Sequence, residues 1–132
     1  DDATGKLTQK QVISTLPKGF VGTNYPSEIR ISPDSKFIYG ANRLHDTVTI
    51  FSIGQDGKLT YVGEEWTHSD YPRSITIDPS GNFLYSCNQR GDNIATFRVN
   101  RQTRRLEFRR SRRPSGRSCP PGQHRHPHEP EA

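Results

Sequence analysis

The sequence predicts an all-β fold made of two copies of one four-stranded antiparallel unit, and three observations predict it. First, a set of residues recurs 46 positions on. Tyr25-Pro26, Ile29, Ile31, Pro33, Phe37, Ile38, Tyr39, Asn42, Asp46, Val48, Phe51 and Ile53 return as Tyr71-Pro72, Ile75, Ile77, Pro79, Phe83, Leu84, Tyr85, Asn88, Asp92, Ile94, Phe97 and Val99. Second, apolar and polar residues alternate with period two inside each copy, the spacing of a half-buried strand. Third, Ser32-Pro33-Asp34-Ser35 and Asp78-Pro79-Ser80-Gly81 stand between alternating stretches, and residues of these types reverse a chain. A period in the forties, built of short strands, is the sequence sign of a β-propeller blade. Two blades cannot close a ring. The expected fold is therefore an incomplete β-propeller, about two four-stranded antiparallel blades plus one orphan outer strand and a disordered tail.

The elements follow in order. Gly5-Lys6-Leu7-Thr8 echoes Gly57-Lys58-Leu59-Thr60, so Leu7–Leu16 is expected to be the outer strand of a truncated blade occupying residues 1–16. Residues 17–66 form the first complete blade with its leading loop. Its strands are Glu28–Ser32, Phe37–Asn42, Thr47–Ile53 and Leu59–Trp66, the last entered through the turn Gln55-Asp56-Gly57. Residues 67–108 form the second blade, with strands Ser74–Asp78, Phe83–Asn88 and Asn93–Val99. One inserted residue then brings Leu59 against Leu106 and Tyr61 against Phe108, where a last strand begins and is expected to fail. The alternative is a small sandwich of nine short strands, but sandwiches do not repeat turn chemistry at a fixed period, whereas blades do.

Composition splits near position 108. The formal charge of +5 is net +1 over residues 1–108 and net +4 over residues 109–132. The last stretch holds no Val, Ile, Leu, Phe, Tyr or Trp, too little apolar surface to offset the entropy of ordering. Residues 109–132 are expected to be a disordered Arg/Pro/His-rich tail. Of the two cysteines, Cys87 takes the slot of Ala41 and Cys119 lies in this tail, so no disulfide framework is expected. There is no apolar run of about 18 residues to cross a membrane as a helix, and Asp1-Asp2 opens the chain without a basic-then-apolar leader. The start without methionine fits a truncated or processed product, and the expected compartment is cytoplasmic.

The stretch Ser27-Glu28-Ile29-Arg30-Ile31-Ser32-Pro33-Asp34-Ser35-Lys36-Phe37-Ile38-Tyr39-Gly40-Ala41-Asn42-Arg43 resembles the "AEI-SPDG-F-Y-SNR" segment of the lactonase propellers. These include the 6-phosphogluconolactonases of the cycloisomerase type and the carboxymuconate lactonising enzymes. Pro72-Arg73-Ser74-Ile75-Thr76-Ile77-Asp78-Pro79-Ser80-Gly81 resembles that family's "PR-F-IDP-G" segment, one blade on. The likeness covers residues 5–108, and Glu28, Asn42-Arg43 and Pro72-Arg73 in this order are its more specific part. It implies a C-terminal fragment of a seven-bladed propeller. The implied parent activity is hydrolysis of a sugar-acid lactone such as 6-phosphogluconolactone, without an obligatory cofactor, and the fragment alone is expected to be inactive. The rival is a YVTN-like propeller fragment without catalysis, an interaction module, which Phe37–Asn42 also resembles.

Blade strands run alternately up and down from the channel outward, so one end collects Glu28, Arg43, His45, Asp46, Arg73, Ser74, Arg90 and Asp92. Opening a lactone needs a base for water and a cationic group for the oxyanion or the substrate's anion. Glu28 and Arg73 are the candidate catalytic residues, with Arg43, His45 and Ser74 the candidate substrate contacts. The competing expectation is that Glu28 and Arg73 form a structural ion pair between blades. His45 reads more simply as a solvated turn residue, and Asn42 and Asn88 as residues capping turns through their own backbone. His68 has no partner that the sequence names.

His124, His126 and His128 alternate in the tail, but with no core to fix their geometry no metal is expected. Arg109-Arg110-Ser111-Arg112-Arg113 could neutralise phosphates, yet no aromatic interleaves to stack bases, so no specific nucleic acid is expected. No membrane partner is expected either; the partners are a small-molecule lactone and other copies of the chain, through exposed blade edges. One permitted back-translation of residues 109–118, shifted by a single nucleotide, reads Gly-Val-Arg-Ala-Val-Pro-Val-Gly-Gly-Pro, similar to the outer strand due after Phe108. A shifted reading frame is thus one expectation for the change in composition.

Overall fold

The computed structural model describes residues 1–114, and its strands form two four-stranded antiparallel sheets. The first holds β1 (Pro26–Ile31), β2 (Phe37–Asn42), β3 (Thr47–Ile53) and β4 (Leu59–Trp66) in chain order. The second repeats it with β5 (Pro72–Ile77), β6 (Phe83–Asn88), β7 (Asn93–Val99) and β8 (Leu106–Arg112). There is no helix among the described residues. The 46-residue offset extends to irregularities: register shifts fall at Ile50/Phe51 and again at Thr96/Phe97. The residues that turn β2 into β3 and β6 into β7, Asp46 (φ 57°) and Asp92 (φ 48°), are both left-handed. Bulges and left-handed corners at matching sites give both sheets the same local bend, so they are two blades of one design.

Alternation assigns the faces. In the first sheet Tyr39 and Ile50 pair across β2 and β3, as do Ala41 and Val48, which puts these four on one face. In the second sheet Ile75, Ser86 and Ala95 line up across three strands, with Leu84 opposite Phe97. The two sets meet in a single core of Tyr39, Ala41, Val48, Ile50, Ile75, Leu84, Ala95 and Phe97, all at most 1% exposed. Val99 and Leu106 extend it. The core thus lies between blades, where burying each large side chain contributes about 1.5–3 kcal/mol.

Equivalent apolar residues of the two blades differ in exposure. Ile29 and Ile31 carry the pattern of Ile75 and Ile77, yet they are 62% and 57% exposed while Ile75 is fully buried. They lie on the face turned away from the second blade, and no described sheet covers it. Residues 7–16 form no strand, contrary to the outer-strand expectation. The Gln11 side chain exchanges hydrogen bonds with the backbone of Leu59 (2.9 and 2.7 Å), and the Thr15 carbonyl accepts from Asn42 Nδ2 (3.0 Å) and from Thr49 Oγ1. A strand requires a ladder of backbone bonds; here a side chain stands in for the ladder.

The last strand is a second correction. It does not stop at Phe108 but continues through Arg112, with Arg110 paired to Thr96, Ser111 to Ala95 and Arg112 to Ile94. Composition misleads here because these side chains face solvent, so the backbone ladder of β7 decides. His124, His126, His128, Cys119 and the disorder expected of residues 115–132 lie outside the described residues.

The two β1–β2-type turns touch each other. Gly81 sits at φ 71°, and a Cβ there would lie 3.3 Å from Pro33 Cδ; its counterpart Ser35 bears φ 57° on an exposed turn. Forcing a side chain into the left-handed region costs about 1–2 kcal/mol. Gly81→Ala is therefore expected to lower the unfolding free energy by about that amount, and Ser35→Ala by less than half of it, as measured by urea denaturation.

Candidate functional site at the β1–β5 end of the blades

The innermost strands β1 and β5 are joined by side chain to backbone bonds rather than by a ladder. Ser27 Oγ donates to the Pro72 carbonyl (2.8 Å) and Arg30 Nε to the Ile75 carbonyl (3.0 Å). Between them, Glu28 Oε2 accepts from Ser74 Oγ (2.6 Å) and from the Ile75 N–H (2.9 Å), while its other oxygen pairs with Arg30. The Ser74 hydroxyl is the main cause of a Glu28 carboxyl held below its ordinary value; the Ile75 N–H, Arg30 and Arg73 add to it against the opposing effect of burial. Glu28 and Ser74, both expected site residues, are therefore brought together as donor and acceptor across the seam.

Arg73 does not close the expected ion pair. Glu28 pairs with Arg30 instead, and Arg73 is exposed, acting on Glu28 only through its field. Arg43 reaches inward: its Nε donates to the Tyr25 carbonyl (3.2 Å), and its guanidinium lies 5.6 Å from the Tyr71 ring centroid. Arg90 lies 4.1 Å from the same ring, so Tyr71 sits beside two cations. His45 is not a free turn residue. Its Nε2 is 3.1 Å from Glu64 Oε1, and its ring meets Phe20 edge-on at 4.8 Å.

Asp46 was on the expected end of the blade but had no role assigned. Its carboxylate accepts the Tyr71 N–H (2.8 Å), and Tyr71 adopts a left-handed φ of 64°. A hydrogen bond to a charged group contributes about 1.5–3 kcal/mol, enough to offset the cost of about 1–2 kcal/mol for that conformation. Burial is the main reason the Asp46 carboxyl is pushed up, opposed by the Tyr71 N–H. The recurrence of Asp46 as Asp92 was the available signal.

The asparagines also depart from expectation. Asn42 is fully buried and donates to Thr15 O (3.0 Å), Thr47 Oγ1 (3.2 Å) and Thr49 Oγ1 (2.9 Å) while accepting from Asn24 (2.8 Å). Asn88 accepts from Ser86 Oγ (3.0 Å) and donates to Asn93 (2.9 Å). Both pin the interior of a blade rather than cap a turn. His68 acquires partners as well, stacked between Trp66 (4.4 Å) and Phe108 (3.8 Å) and so linking the outer strands of both blades.

A cleft of about 350 Å³ opens beside Arg73, Ser74, Asn88 and Asp92. Its wall carries the counterpart of the first-blade face that the second blade covers, since Asp92 repeats the Asp46 that binds Tyr71. The cleft thus has the geometry of a blade seam. Among the described residues no three His, Cys, Asp or Glu side chains converge as a metal site.

Two stacked four-stranded blades of common design, with charged groups gathered at the ends of their inner strands, define an incomplete β-propeller. The chain belongs to the lactonase family of seven-bladed β-propellers, whose family model matches residues 1–119. An uncharacterized protein of Lactococcus lactis is 40% identical over 70 residues, 52% of this chain and 20% of that protein. A 6-phosphogluconolactonase of Pectobacterium carotovorum is 33% identical over 70 residues, 52% of this chain and 21% of the enzyme. Among solved structures, a protein from Lactobacillus plantarum superposes with a TM-score of 0.80 at 31% identity, over 84% of this chain and 33% of that one. The periplasmic gluconolactonase of Pseudomonas aeruginosa gives 0.76 at 26% identity, over 82% and 31%. The chain spans about a fifth of the length of these curated relatives and about a third of these structures.

The depressed Glu28 carboxyl sets a pH dependence. The ionised form makes the seam bonds, so its stabilisation is present at neutral pH and is lost as pH falls below the ordinary value of 4.5 through the lower folded value. Asp34 and Asp78 are shifted the same way, chiefly by Ser32 and Ser80. Thermal melts between pH 7 and pH 3 should show a falling midpoint, and Glu28→Gln should flatten the slope without removing it.

Proposed function

We propose that the chain derives from a propeller that hydrolyses a sugar-acid lactone, such as 6-phosphogluconolactone, in carbohydrate metabolism. The match of residues 1–119 to the lactonase family carries this reading. Relatives named 6-phosphogluconolactonase support the substrate class. The gathering of Arg43, Arg73 and Arg90 at one end of the blades supports an anionic substrate, which guanidinium groups hold in bidentate fashion.

In the reaction, water adds to the lactone carbonyl, the ring C–O bond breaks, and the departing oxygen takes up a proton to leave a hydroxy acid. Arg73, exposed and without an ion pair among the described residues, is the group for the developing oxyanion or the substrate's anion, with Arg43 beside it. Ser74 and His45 are the candidate hydrogen-bonding contacts. Glu28 is the candidate base, but an efficient base has a pKa near the working pH, and Glu28 is held low by Ser74. To serve, it must release that bond on substrate binding; otherwise it holds the seam. Its engaged oxygens favour the second reading, a non-catalytic propeller module.

A propeller site draws groups from several blades, and a displacement of one ångström can cost about a hundredfold in rate. The 132-residue chain is therefore expected to open 6-phosphogluconolactone no faster than buffer does, whereas a full-length relative is expected to be active. A rate clearly above background that falls in Glu28→Gln and Arg73→Ala would instead make the two blades an enzyme. Self-association is expected through the uncovered faces, with Ile29 and Ile31 on one blade and Ile94 on the other. Sedimentation velocity should then show species heavier than 15.0 kDa, and a concentration-independent monomer would contradict it.

A further inference from the structure

At the opposite end of the blades from Glu28 and Arg73, the β1–β2 turn of the first blade faces the corresponding turn of the second. Between them lies a pocket of about 180 Å³ lined by Ser32, Asp34, Tyr39, Ser80, Arg101 and Arg104. Tyr39 is 1% exposed, and its hydroxyl is buried without a hydrogen-bond partner among the described residues. The charged groups acting on that hydroxyl are Arg104 and Asp34, which line the pocket together with Tyr39 itself, so the hydroxyl lies beside the pocket's charged groups. A buried hydroxyl without a partner costs about 1–3 kcal/mol, and such groups are uncommon in folded proteins.

The walls are cationic and held in place. Arg104 pairs with Asp34 at 2.9 Å and rests 4.9 Å from the Phe37 ring centroid; its left-handed φ of 60° fixes it on a tight corner between β7 and β8. Arg101 is oriented by donation from Nε to Asn82 Oδ1 (2.9 Å), while its terminal nitrogens make no ion pair among the described residues. Asp34 is held ionised, chiefly by the Ser32 hydroxyl. Among the lining residues two guanidinium groups stand against one carboxylate, with the Asp78 carboxylate set behind Ser80, from whose hydroxyl and N–H it accepts. Burial pushes the Tyr39 phenol up to about 12, so it remains a donor throughout the physiological range.

We propose that this inter-blade pocket binds a small oxyanion, a carboxylate or a phosphate group, through the Tyr39 hydroxyl and the Arg101 guanidinium, with Arg104 completing the positive wall. The site is separate from the lactone end of the blades. An occupant would bridge the two turns, because Tyr39 belongs to the first blade and Arg101 and Arg104 to the second. Anion binding here would therefore stiffen the seam from the far side.

The test is isothermal titration calorimetry of the full 132-residue chain with inorganic phosphate and, separately, with acetate, at constant ionic strength in chloride. Saturable binding of either anion is expected. Phosphate alone would identify a phosphate site, and acetate alone a carboxylate site. Tyr39→Phe keeps the packed ring and removes only the hydroxyl, and should weaken binding about tenfold, the effect of one hydrogen bond to a charged group. Arg101→Gln alters an exposed side chain and should weaken it at least as much; circular dichroism checks that both variants keep their sheets. No saturable binding of either anion, or an affinity in both variants unchanged from that of the unsubstituted chain, would overturn the proposal.

Discussion

The seam between the blades is the interaction on which the rest depends. A single four-stranded sheet has two faces and no interior, so neither blade can bury its apolar residues alone. Stacking creates the core, with Tyr39, Val48 and Ile50 on one side and Ile75, Leu84 and Phe97 on the other. Apolar burial is non-directional and would tolerate sliding. The bonds from Glu28 to Ser74 and Ile75, from Ser27 to Pro72 and from Arg30 to Ile75 remove that freedom. Attraction and register thus come from different residue types along the same pair of strands.

This division of labour shapes the candidate site. Groups at the ends of inner strands are available for chemistry and for holding blades together, and Glu28 is occupied by the second task. Its carboxylate satisfies two donors from the neighbouring blade and a cation from its own strand. Asp46 shows the same economy at the next corner, holding Tyr71 in a left-handed conformation. The guanidinium groups are the freer members of the end. Arg73 is exposed, and Arg43 and Arg90 flank an aromatic ring rather than a carboxylate.

The repeat also explains why equivalent residues differ in environment. Ile29 and Ile75 occupy the same slot, as do Asp46 and Asp92, but only Ile75 and Asp46 meet a neighbouring blade within the described chain. Exposure here reports position in the stack, not the character of the residue. The cleft beside Asp92 has the same origin, and so does the uncovered face bearing Ile31.

The strands from Phe37 to Trp66 were legible in the sequence to the residue, because period-two alternation and Pro, Asp and Gly turns are local properties that repeat. The residues gathered at the Glu28 end were legible too, since strand direction alone assigns them. Pairing was not. That Glu28 binds Ser74 and Arg30 rather than Arg73, that Asn42 is buried among threonines, and that His68 stacks between Trp66 and Phe108 depend on distances between distant segments. The fate of residues 109–112 was decided by the open edge of β7, whose backbone pairs with the backbone of any residues whose side chains can face water. Sequence by itself determined the unit and its period, because these follow from backbone preference and hydrophobic alternation. Tertiary structure alone decided which polar groups meet across the seam, because a hydrogen bond is set by an ångström or less of position that no spacing along the chain encodes.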